Sequence, residues 1–186
     1  MIVNEKGLLR AMKEAWKHGG GYNVAVELDL ANVVNMVIGT GWWTVIIAWD
    51  ELPRKVLGMV AEHLGTLPKA GEAFRVMDGE PQTEIFGVAS KGLRVVHEGD
   101  PPVQLIRRTE LTVGGYPLWQ RVDDGKVFRL SPDGEDLLLL GKGTPKIVDR
   151  ALMMDDMVSR AYVAMEPEPE DQKTLGLLAH LGKVKW

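Results

Sequence analysis

The chain has 186 residues, no cysteine and a formal net charge of −4. That length fits one domain, or one core with a smaller lobe, and the missing thiols exclude disulfides, thiolate metal ligands and a cysteine nucleophile. The acidic balance, with a pI near 5.6, argues against nucleic-acid binding through a general basic surface, while 45% hydrophobic and 26% charged residues argue against disorder.

At the N-terminus, Lys6, Arg10 and Lys13 are spread among apolar residues rather than set before an apolar block, unlike a signal peptide. No run approaches 18 uninterrupted apolar residues, so no membrane span is expected. The expectation is a soluble cytoplasmic protein.

Met1–Val3 reads as a short edge strand. Asn4 can cap a helix with Glu5 in its first turn and Leu8, Leu9, Met12, Ala15 and Trp16 on one face. Gly19, Gly20 and Gly21 end that helix. From Tyr22 to Leu30 apolar and polar residues alternate, which is a strand with one wet side. Residues 31–38 fit either a strand or a short helix. The stretch Trp42 to Trp49 is a near-continuous run of β-branched and aromatic residues, the pattern of a strand buried on both faces. Asp50 is a candidate N-cap for the helix that follows, with Pro53 in its first turn. Leu52, Val56, Met59, Val60 and Leu64 line its inner face, and Gly65 ends it. Gly58 inside it suggests that something packs close.

Pro68 marks a linker. Short strands and turns follow: a turn at 78–81, strands at 82–89 and 93–97, a corner at 100–102 and a long strand at 103–113. Gly114-Gly115 is a hairpin signal, leading to strands near 118–122, 127–130 and 137–140 with turns between them. This is an antiparallel meander. Thr144-Pro145 reads as the start of a last long helix, with Ile147, Ala151, Met154, Val158, Tyr162 and Met165 as its stripe and few polar positions. Residues 166–171 form an acidic, proline-broken linker. Leu175, Leu177, Leu178 and Leu181 form a short final helix, and residues 183–186 an amphipathic tail. The fold class is α+β: a mostly antiparallel twisted sheet or partly open barrel, with helices on one side and a helical C-terminus. It divides into an α/β half at 1–70, a β-meander half of the same compact domain at 71–143, and C-terminal helices and tail at 144–186.

Signals for chemistry are sparse. Ser90, Ser131 and Ser159 lie in turns or a helix, outside any nucleophile elbow. His18, His63, His97 and His180 have no metal-ligand spacing. Gly141-Lys142-Gly143-Thr144 lacks the P-loop pattern, and Pro145 removes an amide that a phosphate would use. No cofactor and no metal are expected. The best enzymatic lead is four carboxylates, Glu27 and Asp29 on one strand face and Asp50 and Glu51 after the next confident strand, which could converge as an acid/base pair or around a divalent cation. The residue types favour a different reading. It is a non-enzymatic binding or accessory protein that contacts an unknown protein partner or a second copy through Met153, Met157, Leu181, Val184 and Trp186, since methionine surfaces adapt to varied partners. A carboxylate-dependent, metal-assisted hydrolase is the alternative.

Overall fold

Trp43–Ala48 (β3) is an interior strand, paired on one side with Val34–Gly39 (β2) and on the other with Ser159–Ala164 (β11). The computed structural model describes residues 1–18, 20–29, 31–78, 83–84, 104–148 and 150–184, with 83–84 as backbone. Among these residues an eleven-stranded antiparallel sheet runs in the order β5-β4-β1-β2-β3-β11-β10-β9-β6-β7-β8. The other strands are Tyr22–Leu28 (β1), Ala73–Val76 (β4), Thr83–Glu84 (β5), Gln104–Val113 (β6), Tyr116–Arg121 (β7), Val127–Arg129 (β8), Lys146–Val148 (β9) and Ala151–Asp155 (β10). The helices are Glu5–Lys17 (α1), Arg54–Leu64 (α2), Pro132–Glu135 (α3) and Gln172–Leu181 (α4). The sheet is open and the class is α+β, as the residue pattern indicates.

Alternation decides which residues enter the core. Tyr22, Val24 and Val26 of β1, Met36 and Ile38 of β2, Val45 and Ile47 of β3, Leu152 and Met154 of β10, and Ala161 and Val163 of β11 share one buried cluster. Leu8 and Met12 of α1 and Val56 and Val60 of α2 enter the same cluster with no exposed surface, so α1 and α2 cover this face. Gly7 sits where α1 meets the chain after α3, and a Cβ there would collide with the Asp136 carbonyl. On the opposite face Ala25, Val37, Val148, Met153 and Tyr162 are also buried. Within residues 31–38 the strand begins at Val34, where Met36 and Ile38 continue the inward alternation, and 31–33 form the turn before it.

Where sequence and structure part, local chemistry gives the reason. Asp50 does not cap α2. Trp49–Glu51 forms a 3-10 turn, Leu52 is extended (φ −65°, ψ 125°), and Pro53 is the N-cap, since a residue before proline is pushed out of the helical region. Trp42 lies outside β3 and is 66% exposed. A Cβ added at Gly58 would meet nothing within 4 Å, so no close packing explains that glycine. Gly114 and Gly115 both have positive φ, as the tight β6–β7 hairpin requires. Ser131 caps α3 through its hydroxyl, which accepts from the Gly134 amide. The strand expected at 137–140 is a single bridge between Leu138 and Val3. The strands expected at 82–89 and 93–97 lie outside the described residues except for 83–84.

The largest correction concerns residues 144–165. The expected helix is three strands, β9, β10 and β11. Both faces of this part of the sheet are buried, so the sequence is apolar all round and imitates a buried helix. The turn between β10 and β11 is fixed by Asp156, whose Oδ1 accepts from the Val158 and Ser159 amides at 3.0 and 2.7 Å and from the Ser159 hydroxyl at 2.8 Å. The Ser159 hydroxyl in turn accepts from the Ile2 amide at 2.9 Å.

Candidate interaction surface

The end of the sheet that carries the C-terminal helix is built from charge and backbone pairing. β8 is the edge strand, and an open edge invites pairing with other chains. Here residues after β11 cover it. Met165 bridges Leu130, the Glu166 amide donates to the Arg129 carbonyl at 3.0 Å, and Arg129 Nη2 donates to the Pro167 carbonyl at 3.0 Å. The Arg129 guanidinium also lies 5.1 Å from the Tyr116 ring centroid. Lys126 pairs with Glu168 at 3.4 Å, both ends well exposed, so that pair adds little. The linker read from its acids and prolines is thus a strap laid on a basic strand.

The strap delivers the chain to α4. Asp171 caps it, Oδ1 accepting from the Thr174 amide at 2.7 Å, and that bond holds the Asp171 carboxyl below its usual range. The far end is anchored by close backbone approach. Gly125 has φ +75° and lies against the Gly182 carbonyl, leaving no room for a side chain. The buried Gln120 donates to the Gly125 carbonyl at 3.2 Å and to the Val184 carbonyl at 2.9 Å. Between these anchors no residue of α4 is fully buried, while Leu175, Leu178 and Leu181 are half-buried. Leu178 lines a cleft of about 350 Å³ under the helix, shared with Arg121, Lys126, Phe128, Arg129 and Arg150. Leu177 is 42% and Val184 36% exposed.

The residues expected to meet a partner separate. Leu181 is half-buried and adjoins Val184, whose amide donates to its carbonyl at 3.0 Å. Met157 is fully exposed, but on the β10–β11 turn beside Ala48 rather than on a helix. Met153 is 4% exposed inside β10, so the helical stripe that placed it on a docking face does not exist. Trp186 lies outside the described residues. The basic β8–strap arrangement was not foreseen as the support of α4, although Lys126 and Arg129 opposite an acidic run were its signal.

The four carboxylates share one end of the sheet but are spread along it. Glu27 pairs in register with Asn35, and Asn35 with Ala48, which sets Glu27 two strand spacings, roughly 10 Å, from the end of β3. Asp50 and Glu51 lie in the 3-10 turn beyond it. Asp29 serves its own loop. Its Oδ1 accepts from the Ala31 and Val33 amides at 2.8 and 2.9 Å, which holds its pKa below the usual range. Among the described residues no group of three or more His, Asp or Glu side chains is arranged to hold a metal ion, and no helix is long and apolar enough to cross a membrane.

No family model matches the chain, and no curated protein matches it. Among solved structures it is similar to a "Putative DNA polymerase III beta subunit" from Eubacterium rectale ATCC 33656, at 8% identity and a TM-score of 0.45, over 95% of this chain and 67% of that one. It is also similar to DNA polymerase III, beta chain, from Streptococcus pneumoniae TIGR4, at 6% identity and a TM-score of 0.41, over 94% of this chain and 67% of that one.

Proposed function

We propose that this chain is a binding protein that docks another polypeptide, a different protein or a second copy, through the outer face of α4. One observation carries the reading: α4 is capped, strapped and anchored at both ends, yet fully buries none of its residues and leaves Leu177 exposed. A ten-residue helix is marginal in water with little packing, so fixing one on the surface with Leu177 exposed on it and Val184 exposed just past its end makes sense as presentation of an apolar face. The scale suits a helix-in-groove contact, in which a few apolar anchors dominate the energy.

The double variant Leu177→Asp, Val184→Asp tests this. Both side chains are exposed, so the melting temperature should stay within a few degrees. Sedimentation velocity of the pure chain, and co-purification from the native host, should show an associated species with the unchanged chain that the variant loses. Association unchanged in the variant, or no associated species with either chain, would contradict the proposal.

A further inference from the structure

On the helix-covered face of the sheet a second feature stands apart from α4. A groove of about 490 Å³ runs between the outer side of α1, the β2–β3 turn, α3 and the end of β11, a size in the range of ligand pockets. Ala15 and Val163 give it an apolar floor, at 7% and 1% exposure. Trp42 stands at its rim, 66% exposed. The turn that carries Trp42 is fixed. The Trp42 amide donates to Thr40 Oγ1 at 3.1 Å, and its carbonyl accepts from the Ala164 amide at 2.7 Å. An indole held in water on a rigid turn is an unusual use of the largest apolar side chain, and such residues are over-represented as binding anchors.

The charges around it are unbalanced. Arg10 is the one arginine or lysine of the lining, which also holds His18, and it is set against Glu14, Asp133 and Glu166. Arg10 is itself committed to Asp136 and Asp133. Glu14 acts on Arg10 through space, but neither Glu14 nor Glu166 forms an ion pair within 4 Å among the described residues. An exposed indole flanked by carboxylates that form no ion pair within 4 Å among the described residues attracts an organic cation, stacked on the ring and neutralised at its edge. A guanidinium suits this better than an ammonium, because it is planar and weakly hydrated. The apolar floor beside it suits the neighbouring aliphatic residue of the same ligand.

We infer that this groove binds a polypeptide segment presenting an arginine side chain next to an aliphatic one, with Trp42 stacking on the guanidinium and Glu14 and Glu166 supplying the counter-charge. The site uses no side chain of α4, although Glu166 also belongs to the strap that supports that helix.

Acetyl-Leu-Arg-Leu-amide and its citrulline counterpart, which keeps the shape and removes the charge, are the probes, titrated calorimetrically at low salt. The arginine peptide should bind about tenfold more tightly than the citrulline peptide, the range of a desolvated cation–π contact plus an ion pair. Trp42→Ala should abolish that preference. Glu14→Gln with Glu166→Gln should weaken binding and flatten its salt dependence. Circular dichroism of each variant checks that the fold is kept. Leu177→Asp should leave this binding unchanged, which separates it from the α4 proposal. Equal affinity for both peptides, unchanged affinity in Trp42→Ala, free arginine amide binding as tightly as the tripeptide, or no binding at millimolar peptide would each overturn the inference.

Discussion

His63, in the last turn of α2, stacks on Trp16 of α1 with ring centroids 3.8 Å apart and planes 15° from parallel. Its Nδ1 lies 3.1 Å from the Tyr22 hydroxyl of β1. Burial pushes the Tyr22 phenol above its ordinary range, so that hydroxyl stays protonated and can donate to a neutral imidazole. Burial also lowers the His63 pKa, against the opposing pull of Glu62 and Asp78. A group whose folded pKa is depressed contributes stability above its unfolded pKa of about 6.5, and that contribution is lost as pH falls through the folded value. Thermal melts should therefore show a drop in stability from pH 7 toward pH 5, and His63→Gln should flatten this part of the curve while leaving the steeper carboxylate loss below pH 4. A pH profile unchanged by the substitution would refute the assignment. In the sequence His63 stands out only as one of four histidines without metal-ligand spacing. Its stacking partner is 47 positions away, and no local pattern announces a contact between two helices.

At the scale of elements, the strongly periodic pieces were legible and the uniformly apolar one was not. α1, β1, β3, α2 and the β6–β7 hairpin follow from alternation, helical spacing and turn glycines. Residues 144–165 mislead because a strand buried on both faces has no polar stripe, and over 20 residues that looks like a helix buried all round. Asp156-Met157-Val158-Ser159 held the corrective signal, an Asp whose side chain can cap its own turn. In α2, Gly58 is exposed with open space around it, and its helical backbone suits alanine. Gly58→Ala should raise stability by about 0.5–1 kcal/mol in chemical denaturation, the helix-propensity difference between the two residues. A loss of stability would mean that α2 is packed against something on that side.

Over the whole molecule, the sheet leaves its helices unequal. α1 and α2 are bound into the core through Leu8, Met12, Val56 and Val60, whereas α4 is held by its cap, its strap and the Gly125–Gly182 contact. The exposure of Val184 and Met157 agrees with their apolar residue types standing at a tail and a turn, but the burial of Met153 and the strap that supports α4 depend on strand order, which no local pattern encodes. If α4 faces another chain, site-directed photo-crosslinking will capture that chain most directly. A benzophenone side chain at position 177, irradiated in the native host, should give one covalent adduct of defined mass, twice that of the chain if the partner is a second copy. The same group at Lys69, exposed on the loop before β4, should give none. No adduct at position 177, or the same adducts from both positions, would contradict docking through α4.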